Sequence, residues 1–381
     1  MTPIQIALLA ALPWILMPVV MVLRMRRSRN LDEFTADSPR NAPLVSVIIP
    51  ARNEARNIVR CVRSVLATSY PNTEVIVVDD QSTDGTGDLA RALGATVIST
   101  PTLPSDWFGK QWACWTGKSR ARGEIFCFTD ADTQHAPDLL SRSVNAMGAT
   151  RADLFTVAGR QEMVTLWEKL VQAQVFGMLH AWYGGTEEIN RAKQPWRKIA
   201  NGQYLMITRA AYDDTGGHEA VKHTVAEDLM LAQRFHRLGK RVIFIEGREQ
   251  LSTRMYTSLR EVIDGWGKNT YAGGMHALPP LRIMRWIFPV ALLFPPLFNL
   301  APVLALVVAA PALASCPLLI WAAVATAATV LMWVKFYSDA DESPFLALLY
   351  PLGAAITLYI YARAIVRGRN VTWKDRDYVA G

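Results

Sequence analysis

The chain opens with an uninterrupted apolar stretch. Residues 4–23 carry no charged side chain, and about 20 apolar residues are enough for a helix to cross the hydrocarbon core of a bilayer. Four arginines follow at once, namely Arg24, Arg26, Arg27 and Arg29. A signal peptide carries its positive charge before the apolar stretch, so this order predicts a membrane anchor whose C-terminal side faces the cytoplasm.

Three more apolar stretches, residues 286–309, 313–334 and 344–366, lie towards the C-terminus, and each is long enough to span a bilayer. Three full spans after a cytoplasmic region would place the tail outside. The tail is rich in arginine and lysine, however, which favours the inside. We therefore expect two or three C-terminal spans. The first stretch is the best candidate for a re-entrant segment because four prolines interrupt it: Pro289, Pro295, Pro296 and Pro302.

Between the apolar ends, strand and helix patterns alternate. Short apolar runs predict strands, and apolar positions spaced three or four residues apart predict helices. A βαβα order of this kind predicts an α/β fold: a Rossmann-like, mostly parallel sheet with helices on both faces. The strands are predicted at residues 44–50, 74–78, 96–99, 125–129 and 204–208, and the helices at residues 57–66, 82–93, 110–120 and 228–238.

Composition agrees with a soluble domain attached to membrane helices, because 51% of residues are hydrophobic and 19% are charged. The net charge of +7 is explained by arginines beside apolar stretches, so we expect no nucleic-acid partner. The four cysteines, Cys61, Cys114, Cys127 and Cys316, form no C-x-x-C pair, which favours packing roles in a reducing compartment over zinc or disulfides. The predicted parts are an anchor with its basic flank (1–30), a linker (31–43), a soluble domain (44–280), a membrane region (281–368) and a tail (369–381).

Acidic residues follow three of the predicted strands. The first strand leads into Pro50-Ala51-Arg52-Asn53-Glu54, the second into Asp79-Asp80-Gln81-Ser82, and the fourth into Asp130-Ala131-Asp132. Any one of these segments could be a turn that caps a helix. Ligands bind at the carboxyl ends of the strands in open α/β sheets, so three carboxylate-bearing strand ends predict a binding site at one edge.

These motifs resemble those of family 2 glycosyltransferases with the GT-A fold, over about residues 44–271. The segment from Val77 to Thr86 resembles the family's VDDxSxDGT motif, Asp130-Ala131-Asp132 its D-x-D metal motif, and Glu227-Asp228 the pair whose aspartate is the catalytic base. The resemblance implies that Asp132 binds Mg²⁺ or Mn²⁺ directly and that Asp130 supports the metal or the ribose. It further implies a nucleotide-sugar site that includes Pro50, Ala51, Asn53, Glu54, Asp79, Asp80 and Ser82.

The chemistry of sugar transfer suits these residue types. A divalent cation with oxygen ligands offsets the charge of a nucleoside diphosphate leaving group. Asp228 could accept the proton of the attacking hydroxyl, and a single base without a second nucleophile predicts inversion at the anomeric carbon. The alternative is that Glu227 and Asp228 only complement the dipole of the helix that they begin.

Further positions carry weaker signals. Gly202 and Gln203, together with Glu227, resemble the acceptor side of the family's site, and Lys110 could meet a phosphate or be solvated. The segment from Gln250 to Met255 is similar to the family's Q-x-x-R-W signature, but its spacing is one residue longer and Met255 replaces tryptophan. Arg254 is a candidate to pair with the diphosphate, while the departures disfavour a processive synthase.

Two segments near the membrane region leave alternatives open. Residues 259–271 mix apolar and charged positions, which suits either an amphipathic helix on the membrane surface or a packing helix of the soluble domain. The tail Thr372-Trp373-Lys374, with Arg376 and Tyr378, resembles the TWKxRxY ending of some lipid-modifying members, whose aromatic residues would lie at interface depth.

The resulting hypothesis is an inverting, metal-dependent glycosyltransferase of the inner cell membrane, with several spans and a cytoplasmic catalytic domain. It would move a sugar, with UDP as the expected nucleotide, to a hydroxyl of a membrane lipid; the resemblance implies carotenoid, hopanoid or sphingolipid-type acceptors. The alternatives are a processive polysaccharide synthase and a catalytically inactive membrane scaffold of the same fold.

Overall fold

The computed structural model describes residues 1–25, 28–310, 317–368, 370–374 and 376–379. Several predictions concern positions outside these ranges, namely Arg26, Arg27, residues 313–316 with Cys316, and Arg369. The strands β1 to β12 are Val45–Ala51, Thr73–Asp79, Thr96–Ser99, Ile125–Thr129, Thr133–His135, Leu154–Ala158, Arg160–Gln161, Tyr204–Thr208, Val242–Glu246, Leu251–Thr253, Asn370–Trp373 and Arg376–Val379. The helices α1 to α13 are Pro3–Met25, Ile58–Leu66, Thr86–Ala92, Gly109–Arg120, Leu139–Thr150, Leu166–Tyr183, Thr186–Arg191, Arg209–Thr215, Glu227–Arg237, Leu259–His276, Arg282–Ala309, Pro317–Asp339 and Tyr350–Arg367.

A seven-stranded sheet forms the centre of the soluble domain, in the order β3-β2-β1-β4-β8-β6-β9. Strand β1 pairs in parallel with β2 and with β4, and β6 pairs in parallel with β9. Strand β8 runs antiparallel to both of its neighbours, β4 and β6. The prediction of a mostly parallel sheet is confirmed, with β8 as the exception.

Alternating side chains of the strands pack against two helical layers. In β1, Val47 and Ile49 join a buried cluster with α2 and α5, whereas Ile48 between them joins the opposite cluster with α4 and α9. This follows from the strand period of two residues, which sends successive side chains to opposite faces. Helices on both faces, as predicted, leave the carboxyl ends of the strands as an open edge for a site.

Helix α3 begins later than the sequence predicted. We expected a helix over residues 82–93, but the helix spans Thr86–Ala92. Ser82 stays in the preceding loop because its hydroxyl accepts a hydrogen bond from the backbone N–H of Asn53, at 3.0 Å. Gly94, at φ 87°, follows the end of the helix as predicted.

Four described helical segments are long and apolar enough to cross a membrane: Pro3–Arg24, Arg282–Ala309, Pro317–Asp339 and Pro344–Arg367. The helices of these segments pack against one another. Trp14 of α1 stacks on Phe298 of α11 with 4.2 Å between ring centroids, and its Nε1 donates to the Phe298 carbonyl at 2.9 Å.

The prolines of the first C-terminal stretch do not end its helix. Helix α11 is continuous over 28 residues and includes all four prolines. Pro296 and Pro302 are buried between neighbouring helices, and the Asn299 amide donates to Gln174 Oε1 at 3.0 Å nearby. Contacts of this kind let helices that contain proline persist at membrane depth. The helix has the length of a full span, although the proline pattern favoured a re-entrant segment.

Helix α10 lies between the sheet domain and the membrane helices. Val262 and Trp266 on this helix are buried in a cluster with α6, α11 and α13. The Trp266 ring meets Phe176 of α6 edge-on, with centroids 5.6 Å apart. These contacts show that the helix packs against both the soluble domain and the apolar C-terminal helices, and its location at a membrane surface remains a prediction.

Candidate active site

The carboxyl ends of β1, β2 and β4 open into a cavity of about 1270 Å³. Its lining brings together most of the residues predicted from separate parts of the chain. These are Pro50, Ala51, Glu54, Asp80, Lys110, Asp130, Asp132, Gly202, Gln203, Glu227 and Asp228. The predicted convergence of carboxylates on one cleft is therefore present in the structure.

Three other predicted residues shape the rim without lining the cavity. Asp79 Oδ1 accepts from the Ser82 backbone N–H at 3.0 Å. Asn53 Oδ1 accepts from the Thr83 N–H at 2.9 Å. Asn53 has φ 52°, a left-handed conformation that asparagine tolerates better than most residues. The bond between Asn53 and Thr83 ties the loop after β1 to the loop after β2, whereas the bond between Asp79 and Ser82 lies within the second loop. Direct contact of these three residues with a nucleotide remains a prediction.

Arg254 is the fourth residue outside the lining. Its Nη2 pairs with Glu168 Oε1 of α6 at 3.2 Å, and the Glu168 side chain is fully buried. Only its backbone lies near the cleft, where the Arg254 N–H donates to the Asp132 carbonyl at 3.4 Å. The guanidinium therefore compensates a buried charge next to the site, and its predicted pairing with a diphosphate would require this ion pair to open.

Asp132 has the environment expected of a cation ligand. Its Oδ1 is buried and has no hydrogen-bond partner among the described residues. Burial, followed by the charge of Asp130, raises the pKa of Asp132, and burial also raises the pKa of Asp130. A bound divalent cation would satisfy the orphaned oxygen and reverse both penalties.

The protein supplies only part of such a coordination sphere. Within the described ranges, no group of three or more His, Cys, Asp or Glu side chains is placed to hold a metal. A hard cation takes six or more oxygen ligands. The two aspartates therefore fit a metal that would complete its sphere with phosphate oxygens and water, as in sites that bind metal and substrate together.

Lys110 links Asp130 of the D-x-D motif to Glu227, which precedes the predicted catalytic base Asp228. Its Nζ lies 2.8 Å from Asp130 Oδ1 and 2.7 Å from Glu227 Oε1. Burial works to lower the pKa of Lys110, but the charges of Asp130 and Glu227 raise it well above its usual value. Lys110 is thus a permanently charged, ion-paired residue of the cleft rather than a solvated one.

Asp228 faces the cavity from the first turn of α9. Its Oδ2 accepts from the Gly202 N–H at 2.8 Å, and its Oδ1 accepts from the Leu229 N–H at 2.7 Å. A Cβ atom on Gly202 would lie only 3.0 Å from Oδ2, so a larger residue would require this carboxylate to shift by a few tenths of an ångström. Burial, and then the charge of Glu227, raise the pKa of Asp228 to about 6. Asp228 both complements its helix and presents a carboxylate poised for proton transfer near neutral pH.

The cavity continues from these polar groups into an apolar end. Three aromatic residues, Phe176, Trp182 and Tyr183, line it, whereas Trp167 and Trp196 do not. Helices α10 and α11 complete the apolar end with side chains such as Trp266, Met284, Phe288, Leu292 and Pro295. One cavity therefore joins the acidic cluster to a helix long enough to cross a bilayer.

Two lysines of the cleft were not predicted from the sequence to belong to the site. Lys268 of α10 lines the cavity, and burial lowers its pKa to about 8. Lys374 comes from the C-terminal tail, where Tyr378 stacks on Phe108 of the soluble domain with centroids 4.2 Å apart. The tail motif was visible in sequence, but its aromatic residues suggested the membrane interface instead.

Comparison with known proteins agrees with this geometry. Residues 46–216 match the model of the family described as Glycosyl transferase family 2. A 4,4'-diaponeurosporenoate glycosyltransferase of Staphylococcus haemolyticus (strain JCSC1435) is 27% identical over 247 residues, which cover 63% of this chain and 64% of that protein. The protein of the same name from Staphylococcus aureus (strain USA300) is 26% identical over 263 residues, or 65% of this chain and 67% of that one. The match thus spans slightly less than two thirds of the first relative.

The fold has a solved counterpart. Mannosyltransferase PcManGT from Pyrobaculum calidifontis, solved in complex with GDP-Man and Mn²⁺, superposes with a TM-score of 0.54 and 19% identity, over 96% of this chain and 99% of that one. At this identity the likeness concerns the fold alone. The sheet order and the clustered carboxylates agree with the GT-A fold, and residues 46–216 match the model of Glycosyl transferase family 2.

Proposed function

We propose that the protein transfers a sugar from a nucleotide-sugar, with UDP as the expected nucleotide, to a hydroxyl of a membrane lipid with inversion. The observation that carries the proposal is the single cavity of about 1270 Å³. Its polar end contains Asp132 and Asp228, and its apolar end is lined by α11. A donor with a charged leaving group and an acceptor with an apolar body would need these two environments side by side.

The polar end suits the departure of a nucleoside diphosphate. Asp132, with Asp130, would hold Mg²⁺ or Mn²⁺, which supplies positive charge to the leaving phosphates. Lys110 holds Asp130 and Glu227 at fixed positions through its two ion pairs. Because these groups are already oriented, little reorganisation is needed when charge develops on the leaving group.

Asp228 is the proposed general base. Its two oxygens are held by the Gly202 and Leu229 N–H groups, which orient the carboxylate towards the cavity. A carboxylate with a pKa of about 6 is mostly ionised at pH 7 and can accept the acceptor's hydroxyl proton. One base on the acceptor side, with direct displacement, gives the inverted product.

The apolar end supports a lipid acceptor that approaches from the membrane. Met284 and Ile287 on α11 line the cavity, and both side chains are exposed. The relatives are named for the glycosylation of diaponeurosporenoate, a carotenoid-type lipid, which supports an acceptor of this class. The arginines after α1 support a catalytic domain on the cytoplasmic face.

Lipid mass spectrometry tests the proposal. Cells with the gene are expected to contain a lipid heavier by one sugar residue than any lipid of cells without it, and cells that express Asp228→Asn should lack this product. Identical lipid profiles in all three strains, despite equal protein levels in the two strains that carry the gene, would refute the proposed transfer.

The acceptor path has its own pair of variants. Met284→Trp should narrow the apolar end and raise the KM for the lipid, whereas Ile283→Trp, on the neighbouring position outside the cavity lining, serves as the control. Hydrolysis of the donor in the absence of a lipid should be unchanged in both variants. Equal lipid KM values for the two variants would count against entry along α11.

A further inference from the structure

The C-terminal tail lies on the rim of the donor cleft. Strands β11 and β12 form an antiparallel hairpin, and Lys374 stands at its turn with φ 48°. A lysine in the left-handed region is uncommon and needs surrounding contacts to hold it. Those contacts come from the catalytic domain, more than 250 residues earlier in the chain.

Three anchors join the hairpin to three different loops of the site. Lys374 Nζ lies 2.7 Å from Glu54 Oε1, after β1. Arg376 Nη1 lies 2.6 Å from Asp80 Oδ2, after β2, and Asp80 is only 2% exposed. The Tyr378 hydroxyl accepts from the Gly109 N–H at 3.3 Å, at the start of α4.

The hairpin changes the electrostatics of the cleft. The charge of Glu54 reaches both Asp130 and Asp132, contributing to their raised pKa values. Without Lys374 and Arg376, the rim would present Glu54 and Asp80 as uncompensated carboxylates towards an anionic donor. The hairpin therefore adds positive charge beside the carboxylates of Glu54 and Asp80.

We propose that the C-terminal hairpin is part of the donor site, and that the Lys374 ammonium binds the phosphates of the nucleoside diphosphate group. Lys374 lines the cavity together with Asp130 and Asp132, and its flexible stem lets the ammonium contact a phosphate near Glu54. Arg376 and Tyr378 are positioning residues that hold the turn in place. The inference rests on the proposed function, because it requires a nucleotide donor.

Calorimetry on the full chain in detergent tests it, with UDP and GDP as probes in the presence of Mn²⁺. Lys374→Gln should weaken binding of the preferred nucleotide about tenfold, the typical effect of losing one charge-assisted hydrogen bond. Lys240→Gln is the matched control, because Lys240 pairs with Asp214 on the surface, outside the cavity lining. The melting temperature of each variant reports any purely structural effect.

A double variant separates phosphate binding from simple neutralisation of Glu54. If Lys374 contacts phosphate, Lys374→Gln combined with Glu54→Gln should stay at least about fivefold weaker than the wild type. Full recovery in the double variant, or binding by Lys374→Gln within about twofold of the wild type, would overturn the proposal. If the wild type binds neither nucleotide, the proposed function itself fails, which is a separate outcome.

A measurement on the wild type covers the case in which Lys374→Gln does not fold. UDP or GDP with Mn²⁺ should protect Lys374 from reductive methylation, as measured by peptide mass spectrometry, while Lys240 stays equally reactive. Equal modification of Lys374 with and without a nucleotide that binds would contradict the assignment.

Discussion

Replacing Asp228 with asparagine removes the proposed base and leaves the shape of the side chain almost unchanged. The amide oxygen of the new side chain would still accept from the Gly202 N–H, which now bonds Asp228 Oδ2 at 2.8 Å. The amide cannot accept a proton from the acceptor, and positioned general bases contribute about 10²- to 10⁴-fold to rate. We expect kcat to fall by that factor while the affinity for the donor changes little.

The pH profile of the wild-type enzyme gives a second test of Asp228 as the general base. Burial and the charge of Glu227 raise the pKa of Asp228 to about 6, so the carboxylate protonates and loses its function as pH falls through 6. About one molecule in ten is ionised at pH 5 and about nine in ten at pH 7, so kcat/KM should rise about tenfold between them. This parameter reports the free enzyme, which is the state described here.

The neighbouring carboxylate offers a matched perturbation. Glu227→Gln removes a like charge beside Asp228 and frees Lys110 from one of its two partners. Both changes favour the ionised form of Asp228, so its pKa should fall and the acidic limb of the profile should move to lower pH. A shift to higher pH would mean that another group controls the limb.

The assay is transfer from a radiolabelled nucleotide-sugar to lipid in nanodiscs, with saturating Mn²⁺ at every pH. Donor affinity is measured separately by calorimetry, so that loss of binding is not mistaken for loss of chemistry. Wild-type transfer by Asp228→Asn would refute the assignment of the base. A flat kcat/KM profile between pH 5 and pH 7 would refute the electrostatic reasoning even if Asp228 proved essential.

Three further predictions concern neighbours of the base. Asp132→Ala should abolish transfer that depends on Mn²⁺, and calorimetry should show that Mn²⁺ no longer strengthens nucleotide binding; unchanged metal dependence would contradict the metal assignment. Lys110→Met leaves the carboxylates of Asp130 and Glu227 without their ion-pair partner. We therefore expect a loss of about 3–5 kcal/mol in the free energy of unfolding, measured as a lower thermal midpoint. An unchanged midpoint would show that solvent compensates the two carboxylates. Gly202→Ala places a methyl group 3.0 Å from Asp228 Oδ2. The methyl group should displace this carboxylate and lower kcat with little change in donor affinity. A change in KM alone would argue that the methyl group displaces some group other than Asp228.

Much of the fold was predictable because it depends on local pattern. Short apolar runs marked five of the seven strands of the main sheet, whereas β6 and β9 were not predicted. The acidic segments after β1, β2 and β4 marked the edge that carries the site. The start of α3 was placed too early, since the hydrogen bond between Asn53 and Ser82 comes from a different loop. The prolines of α11 suggested a break, but buried neighbours keep the helix continuous.

The candidate site divides in the same way. Asp130, Asp132 and Asp228 were identified from motifs, and the structure brings them to one cavity. Arg254 was assigned to the diphosphate, but its buried partner Glu168 lies on a helix whose packing the sequence does not reveal. The pKa of Asp228 likewise depends on burial and on Glu227, so no motif could have supplied its value.

The sequence by itself determined the long apolar helices, the alternation of strands and helices in the first half of the soluble domain and the chemical types that meet at the edge of the sheet, because each depends on residue periodicity and spacing along the chain. Only the tertiary structure decided that an apolar groove continues from Asp228 to α11, and that Lys374 reaches the same cavity as Asp132. These features join segments more than a hundred residues apart. Their proximity is set by the packing of α6, α10 and α11, and by ion pairs whose partners nothing in the local sequence specifies.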